Sequence, residues 1–318
     1  AKTELDEYLA QRSFLILLTF PHMWIESRAF VPEMLNTLFI TASLYFFISN
    51  RVSLGWLFLA LAFLTKGPVG VVLVLGVYLL WKRDLKVFSL KGIALFILVG
   101  FSWYFYMLWH FGYFYFYKFF LYENVMRYTG QRETHPYPFY YYLLVLLVAT
   151  LFYIPKYVSL LKSFKRELIP YVLWALYVLL FFSLAKNKLH HYILFAYPPI
   201  SIVFAHYTSK TYTKRVLVFS SFLLLLLSLF AFFYEKERFV PRAYPIVSAY
   251  SGDVYFYRAE DSALVYYSKR CIKEIENPPI QGLIITKEKY VKELPECKVL
   301  LEGVEFDGKY VLLECKVK

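Results

Sequence analysis

The chain has 318 residues, of which 59% are hydrophobic and 22% aromatic, and its formal net charge is +12. Soluble domains contain about 45–50% apolar residues, and the excess here lies in long uninterrupted runs, which excludes an ordinary soluble domain. Because Lys and Arg are scattered over short loops, the charge argues against nucleic acid as a partner and favours anionic lipid headgroups or a lipid-linked phosphate.

Apolar runs of roughly the length that crosses a bilayer as a helix recur along most of the chain. We predict nine transmembrane helices, at residues 13–27, 33–50, 53–66, 67–81, 92–112, 138–156, 168–186, 191–208 and 215–235. The third and fourth are short and are divided by Lys66-Gly67-Pro68. A helical hairpin is preferred to one long broken helix, because proline suits the first turn of a new helix.

The loops on one side of this predicted bundle are richer in Lys and Arg, and that side should be cytoplasmic. The bias places the tail after residue 235 outside the cytoplasm. We therefore predict a transmembrane domain over residues 1–235 and a small α/β extracytoplasmic domain over residues 236–318. The second domain should hold strands at 245–249, 254–257, 282–286, 298–301 and 310–316 and helices at 261–276 and 287–294, with Asp261 or Ser262 capping the first helix.

The cysteines, Cys271, Cys297 and Cys315, all lie near the C-terminus and lack CxxC or zinc-ligand spacing. Extracytoplasmic exposure would permit one disulfide, but scattered cysteines are more often plain structural residues, and we prefer that interpretation. No residue pattern indicates a cofactor or a metal site, although a divalent metal would be compatible with the sequence.

Ionisable side chains are nearly missing inside the predicted spans, where His22 and His110 are the clear exceptions. Transporters usually carry such groups along their pathway through the bilayer, which makes a transporter or flippase the weaker interpretation. Polar residues gather instead in the predicted outer loops. This distribution indicates chemistry at the outer face, with the helices as its scaffold.

The first and second outer loops carry Arg28, Glu33 and Lys66. Glu33 begins an apolar helix, where the helix dipole stabilises a carboxylate; it could instead act as a general base or a metal ligand. Lys66 lies at the tip of the predicted hairpin, where a lysine usually extends its ammonium to the headgroups; the alternative is a phosphate contact.

The third outer loop, residues 113–137, is the longest and has aromatic and charged residues at helical spacing, as in an amphipathic helix lying in the interface. A simple membrane anchor is the alternative. The charged cluster, formed by Glu123, Arg127, Arg132 and His135, goes beyond what an anchor requires.

The fourth outer loop gathers Lys186, Lys188, His190 and His191 into a compact cationic patch. The adjacent histidines are poor joint metal ligands, since neighbouring side chains on a helix point apart, and phosphate recognition is favoured over metal binding. Cations on the outer face run against the usual charge bias, and a lipid-linked phosphate would offset that cost.

Taken in order, these loops resemble the motifs of a known family. The segment Phe63-Leu-Thr-Lys-Gly-Pro68 matches its FLTKGP motif, residues 120–128 resemble its F-x-x-E-[HN]-x-x-R-[FY] loop, residues 135–142 resemble its HPxPxxYY segment, and residues 183–198 resemble its S-x-x-K-L-P-x-Y-x-x-P segment with His190 in place of proline. The ordered set covers roughly residues 14–200. It is similar to the polyprenyl-phosphate-sugar glycosyltransferases of the protein-mannosyltransferase and aminoarabinose (lipid A) transferase family, in the GT-C superfamily.

This resemblance implies an α-helical polytopic GT-C bundle with its active site at the outer face of the cytoplasmic membrane. It implies an inverting transfer of a sugar from a polyprenyl-phosphate donor to a lipid, glycan or protein acceptor. On this basis we predict Glu33 as a catalytic acidic residue. The donor phosphate is expected near Lys66, Arg127, Lys186, Lys188, His190 and His191, and acceptor or structural roles fall to Arg28, Glu123 and Tyr192.

The family also has an earlier outer loop that carries its principal Asp in a D-E-x-R-Y-like motif, and nothing here corresponds to it. Asp6-Glu7-Tyr8 is a coincidental match. We therefore expect the chain to be truncated at its N-terminus, and this chain alone could be inactive. The alternatives are an O-antigen ligase or polymerase-like enzyme, a noncatalytic membrane subunit and a transporter of lipid-linked sugars.

Overall fold

A computed structural model describes residues 2–29, 31–131, 135–277, 281–294 and 297–315. Arg132 and the last residue of the predicted strand 310–316 lie outside the described residues. The chain divides into two compact units, Ala1–Ser221 and Phe222–Lys318. The first is helical, and the second combines helices with a small sheet.

The first unit is built mainly from α-helices. Their bounds are α1 Lys2–Leu18, α2 Pro21–Glu26, α3 Glu33–Ile48, α4 Val52–Lys66, α5 Pro68–Lys82, α6 Leu90–Gly100, α7 Ser102–Tyr115, α8 Arg127–Thr129, α9 Tyr141–Ala149, α10 Ile154–Lys162, α11 Ile169–Leu184, α12 Tyr197–Tyr207 and α13 Lys210–Glu237, the last of which continues past Ser221 into the second unit. A π-helical segment, Phe116–Met126, joins α7 to α8. Short 3₁₀ segments lie at Leu151–Tyr153, Arg166–Leu168 and His190–Ala196.

The apolar helices support insertion into a membrane, but the predicted count of nine spans is not confirmed. Within the described residues, Arg166–Leu184 and Lys210–Glu237 are long and apolar enough to cross a bilayer, and the number rises to four if two bent helix pairs each form one span. Three further apolar helices, α3, α4 and α5, are shorter. The sequence count fails because hydropathy registers an apolar run but not a bend within it, such as the 80° bend between α9 and the segment that ends in α10.

The predicted hairpin at Lys66-Gly67-Pro68 is confirmed. Gly67 alone separates α4 from α5, and its φ of +72° with ψ of −146° belongs to a region that only glycine adopts readily. The two helices then pack closely, since a Cβ atom built on Gly70 would lie 3.0 Å from Cβ of Ala62. This reversal places Lys66, the last residue of α4, at the turn.

Aromatic packing fixes the N-terminal helices on α12. Phe20, which directly precedes α2, is fully buried. Its ring centroid lies 5.8 Å from that of Tyr153, 5.5 Å from that of Tyr197 and 6.5 Å from that of Phe204, each in an edge-to-face arrangement. Such pairs contribute about 0.5–1.5 kcal/mol beyond their area burial. They hold α2 in a defined position next to the start of α12.

The second unit contains a five-stranded sheet. Its strands are β1 Val254–Tyr257, β2 Lys273–Ile275, β3 Gly282–Lys287, β4 Lys298–Glu305 and β5 Gly308–Cys315, and its further helical elements are α14 Phe239–Ala249, α15 Ser262–Ser268 and a 3₁₀ segment at Glu288–Glu293. The strand order is β2-β1-β3-β5-β4. β1 is parallel to both of its neighbours, and β5 is antiparallel to both of its own.

Two expectations for this unit were wrong. The predicted strand at 245–249 is the end of α14, because Phe239, Val240, Ala243 and Val247 are buried at helical spacing. The predicted helix at 261–276 ends at Ser268, where Lys269 adopts a left-handed conformation, and β2 follows. The predicted cap is confirmed at the start of α15, because the carboxylate of Asp261 accepts a hydrogen bond from the Leu264 amide.

The preferred interpretation of the cysteines was also wrong. Cys297 and Cys315 form a disulfide, and Cys271 is an exposed free thiol. The antiparallel pairing of β4 with β5, in which Lys298 lies opposite Glu314, brings the two bonded cysteines together. Spacing along the chain does not reveal this proximity, because it depends on the register of a hairpin.

Candidate active site

Polar side chains from four separate segments meet near the α4–α5 turn. α3 contributes Glu33 from its first position, and α4 contributes Lys66 from its last. The 3₁₀ segment His190–Ala196 contributes His191 and Tyr192, and the π-helical segment with α8 contributes Glu123 and Arg127. The site therefore depends on where helices begin and end rather than on one continuous motif.

Glu33 is the most buried charged group of this cluster, with 1% of its surface exposed. Its Oε1 accepts a hydrogen bond from the Lys66 ammonium and a second, 3.0 Å long, from Nε2 of His191. A buried carboxylate is costly unless such partners compensate it. Its Oε2 has no hydrogen-bond partner among the described residues. Glu33 therefore anchors both a cation and an imidazole.

Lys66 lies between this carboxylate and an adjacent cavity. Its Nζ is 4.4 Å from the ring centroid of Tyr192, within the range of a cation–π contact. Lys66 also lines the cavity, with 22% of its side chain exposed. The contacts with Glu33 and Tyr192 fix the direction of the ammonium, so that a positive charge is held at the cavity wall.

The cavity has a volume of about 650 Å³. Aromatic side chains form much of its wall, among them Phe116, Phe119, Phe120, Phe181 and Phe182. The polar lining includes Lys66, Glu123, Asn187, Arg127 and Tyr192. An apolar wall with a few convergent polar groups is typical of a small-molecule site. This combination suits a ligand with an apolar chain and one anionic group.

Arg127 is the second cation at the cavity. Its guanidinium pairs with the Glu123 carboxylate at 2.9 Å, one helical turn earlier, and it is hydrogen-bonded to the side chain of Tyr192. The Nε atom of Arg127 is buried and has no hydrogen-bond partner in the described part of the chain. An unused buried donor of this kind is costly to the fold.

Four predicted site residues do not line the cavity: three predicted phosphate contacts, Lys186, Lys188 and His190, and Arg28, for which an acceptor or structural role was predicted. Lys186 and Arg28 are exposed, and neither is among the described residues that line the cavity. Lys188 is 4% exposed, and its ammonium donates to the backbone carbonyl of Ala185 at 2.5 Å. His190 approaches Glu26 rather than the cavity, with Nδ1 at 3.0 Å from Oε1. The structure thus brings together Glu33, Lys66, His191, Tyr192, Glu123 and Arg127. Arg28, Lys186, Lys188 and His190 are not part of this group.

Two buried polar groups near this cluster were not predicted from the sequence. Asn36 lies three residues after Glu33 on α3, is fully buried and has no side-chain hydrogen-bond partner among the described residues. Glu26 lies four residues after His22 on α2 and is 1% exposed. The spacing in the sequence could have indicated both groups. Asn36 lies at i+3 from Glu33, and Glu26 lies at i+4 from His22, and each spacing places the two side chains on one helix face.

No protein-family model matches the chain. An uncharacterized protein of Aquifex aeolicus is 48% identical over 309 residues, which make up 96% of this chain and 74% of that protein. An undecaprenyl phosphate-alpha-4-amino-4-deoxy-L-arabinose arabinosyl transferase of Shewanella sediminis is 31% identical over 179 residues, covering 51% of this chain and 32% of that relative. The match to the transferase thus spans about a third of its length.

Among solved structures, the fold is similar to ArnT from Cupriavidus metallidurans, crystallised with bound undecaprenyl phosphate. The TM-score is 0.67 at 16% sequence identity, and the match covers 96% of this chain and 78% of ArnT. The apo form of the same protein matches with a TM-score of 0.66. At this level of identity the likeness establishes a shared fold, a helical membrane bundle with a small C-terminal sheet.

Proposed function

We propose that the chain is a GT-C glycosyltransferase related to the aminoarabinose transferases, and that it transfers a sugar from a polyprenyl-phosphate donor to an acceptor at the outer face of the cytoplasmic membrane, because it shares the fold of ArnT and resembles those transferases in sequence over part of its length. The relatives named for arabinosyl transfer suggest undecaprenyl phosphate-linked 4-amino-4-deoxy-L-arabinose as the first donor to test. The acceptor would be a lipid, a glycan or a protein hydroxyl.

The observation that carries this proposal is the cavity with aromatic walls and two cations, Lys66 and Arg127, in its lining. A polyprenyl chain needs an apolar surface, and its phosphate needs compact or forked cations. Arg127 and Lys66 both line the cavity, so their charged groups would be available to phosphate oxygens there. We therefore place the lipid along the phenylalanines and the phosphate between Lys66 and Arg127.

The proposed reaction is a single displacement at the anomeric carbon. The acceptor oxygen forms a bond to that carbon from the face opposite the phosphate, the bond from carbon to phosphate oxygen breaks, and the configuration inverts. A carboxylate takes the hydroxyl proton. The leaving phosphate keeps the electron pair, and Lys66 and Arg127 would stabilise its developing charge.

Among the roles considered for Glu33, the geometry favours a positioning role. Its Oε1 is occupied by Lys66 and His191, and Glu33 is not among the described residues that line the cavity. The carboxylate thus fixes the cation that would meet the phosphate. The role of general base stays a prediction, and kinetic measurements on a Glu33 variant separate the two roles.

Two observations support placing the second unit outside the cytoplasm. Disulfides persist mainly in oxidising compartments, and Cys297 and Cys315 form one. The excess of Lys and Arg in the opposite set of loops orients the predicted spans in the same sense. An outer-face active site follows if the α4–α5 turn lies on the same side.

A transfer assay on membranes tests the function. Membranes that contain the chain should move labelled aminoarabinose from undecaprenyl phosphate to an endogenous lipid acceptor, and Lys66→Met should lower turnover about 10²–10³-fold, as loss of one preorganised charge does. Lys118→Met is the matched control, because Lys118 is exposed and is absent from the described cavity lining. Equal turnover in Lys66→Met and the unchanged chain would remove Lys66 from the proposed mechanism.

A further inference from the structure

A second cluster of ionisable side chains lies beside the cavity site and has no part in the proposed reaction. The short helix α2 begins at Pro21 and carries His22 and Glu26 four residues apart, so that both side chains lie on one face. The 3₁₀ segment His190–Ala196 brings His190 to the same face, although 168 positions separate it from His22 in the sequence. The cluster thus joins two elements distant in sequence.

The atoms of this cluster converge on one point. Nε2 of His22 lies 3.1 Å from Oε1 of Glu26 and 3.1 Å from Nδ1 of His190, and that Nδ1 lies 3.0 Å from the same Oε1. A tetrahedral zinc ion with ligand distances of about 2.0–2.1 Å sets its ligand atoms roughly 3.3 Å apart. The observed triangle is close to that size and would need only small outward movements to hold an ion.

The burial of the Glu26 carboxylate is a second observation in favour of a bound cation. Glu26 is 1% exposed, and its Oε2 has no hydrogen-bond partner among the described residues. An ionised carboxylate in such a place is costly unless it is paired or coordinates a metal. A cation at the point of convergence would compensate this charge and replace the close approach of two imidazole nitrogens.

Tyr197 orients one of the imidazoles. Its hydroxyl lies 2.6 Å from Nδ1 of His22, and Tyr197 itself is fully buried. If Nδ1–H donates to this hydroxyl oxygen, Nε2 carries a lone pair directed at Glu26 and His190. Histidine ligands of metals are typically fixed in this way by a hydrogen bond from the other ring nitrogen.

We propose that His22, Glu26 and His190 form a binding site for one divalent cation of the zinc class. Two imidazole nitrogens and one carboxylate oxygen are ligands that zinc accepts, whereas magnesium and calcium prefer all-oxygen sites. The side chain of His190 is 53% exposed, which leaves the fourth position open to water or an anionic oxygen. His191, the next residue, bonds Glu33, so the ion would also fix the segment that supports the cavity site.

Metal content measured on the purified chain in detergent tests this site. The protein is stripped with a chelator, reloaded with Zn²⁺, desalted and analysed by mass spectrometry for zinc per chain. We expect about one zinc ion per unchanged chain and at least a fivefold loss in Glu26→Gln and His190→Ala. His206→Ala is the control and should retain zinc, although the Nε2 of His206 also lies near a carboxylate, 3.7 Å from Glu167.

His190→Ala is the decisive variant, because His190 is half exposed and its removal should leave the fold intact. Gel filtration confirms that the variant is folded, and zinc K-edge absorption on the unchanged chain should show imidazole scattering. Less than a fifth of one equivalent in the unchanged chain would overturn the proposal. The same zinc content in His190→Ala and in the unchanged chain would overturn it as well.

Discussion

At the scale of single residues, the Glu33 carboxylate determines where the Lys66 ammonium lies. The carboxylate is buried and the lysine side chain is largely shielded from water, and each group compensates the charge of the other. His191 adds a second donor to the same oxygen. Removing the negative charge of Glu33 should therefore disturb the positions of Lys66 and His191. Through Lys66 it should also lower the affinity of the cavity for a phosphate.

Glu33→Gln should raise the KM for the lipid-linked donor about tenfold, which corresponds to about 1.4 kcal/mol of binding free energy. The amide keeps the shape of the side chain but no longer attracts the ammonium. Steady-state kinetics measure KM and kcat separately, and Glu167→Gln, which removes an exposed carboxylate, is the control. A large fall in kcat with an unchanged KM would instead identify Glu33 as the general base. Unchanged values of both would exclude Glu33 from the mechanism.

A comparison of two lysines shows why some site residues could not be predicted from the sequence. Lys66 and Lys188 are both lysines in predicted outer loops next to apolar segments, but Lys66 lines the cavity whereas Lys188 turns to the carbonyl of Ala185. Charge and spacing along the chain do not distinguish these outcomes. The direction of a side chain in an irregular loop depends on the local backbone, which hydropathy and periodicity do not specify.

At the scale of helices and strands, the α4–α5 turn connects the fold to the site. Gly67 holds a conformation that other residues rarely adopt, and an added Cβ would lie 3.1 Å from the Phe119 ring. Lys66 precedes this glycine and Phe119 lines the cavity, so that strain at the turn would be felt at both.

Gly67→Ala should destabilise the helical unit by about 1–3 kcal/mol, the usual cost of a forced backbone conformation. It should also weaken donor binding, because Lys66 and Phe119 would both shift. Thermal unfolding in detergent measures the first effect. Gly100→Ala is the matched control, since its new Cβ would meet neighbours at 3.4 Å or more, which is ordinary contact. Equal unfolding midpoints for the two variants would contradict this account of the turn.

Helices and strands were predicted well where a few neighbouring residues determine the structure. β1 has the predicted bounds, Val254–Tyr257, and the predicted break at Lys66-Gly67-Pro68 is a hairpin. Residues 245–249, the second half of α14, were predicted as a strand, whereas burial of one helical face against the sheet determines their structure. The ordered loop motifs predicted the likeness to the aminoarabinose transferases, but they did not predict that Glu33 pairs with Lys66 or how deeply each loop residue is buried.

At the scale of the whole molecule, a helical membrane unit is followed by a unit in which a disulfide joins Cys297, directly before β4, to Cys315 at the end of β5. The bond between Cys297 and Cys315 closes a loop with a sequence separation of 18. Such a crosslink limits the unfolded chain and typically stabilises a small domain by about 2–4 kcal/mol.

The thiol content of the chain should therefore depend on reduction. After unfolding without reductant, we expect one thiol, Cys271, to react with a maleimide, and three to react after reduction. Mass spectrometry counts the adducts. Cys271→Ser is the control and should give none before reduction. Three adducts in the unreduced chain purified from the membrane would contradict both the disulfide and the oxidising compartment proposed for this unit.

The central claim is that the cavity beside Lys66 and Arg127 holds a polyprenyl phosphate. Its most direct test is the binding of undecaprenyl phosphate to the purified chain in detergent, measured by native mass spectrometry with Lys118→Met as the control. We expect the unchanged chain and the control to bind one lipid with equal affinity, and the double variant Lys66→Met, Arg127→Met to bind at least about tenfold more weakly, a loss of about 1.4 kcal/mol or more. Equal binding by all three proteins would contradict this claim.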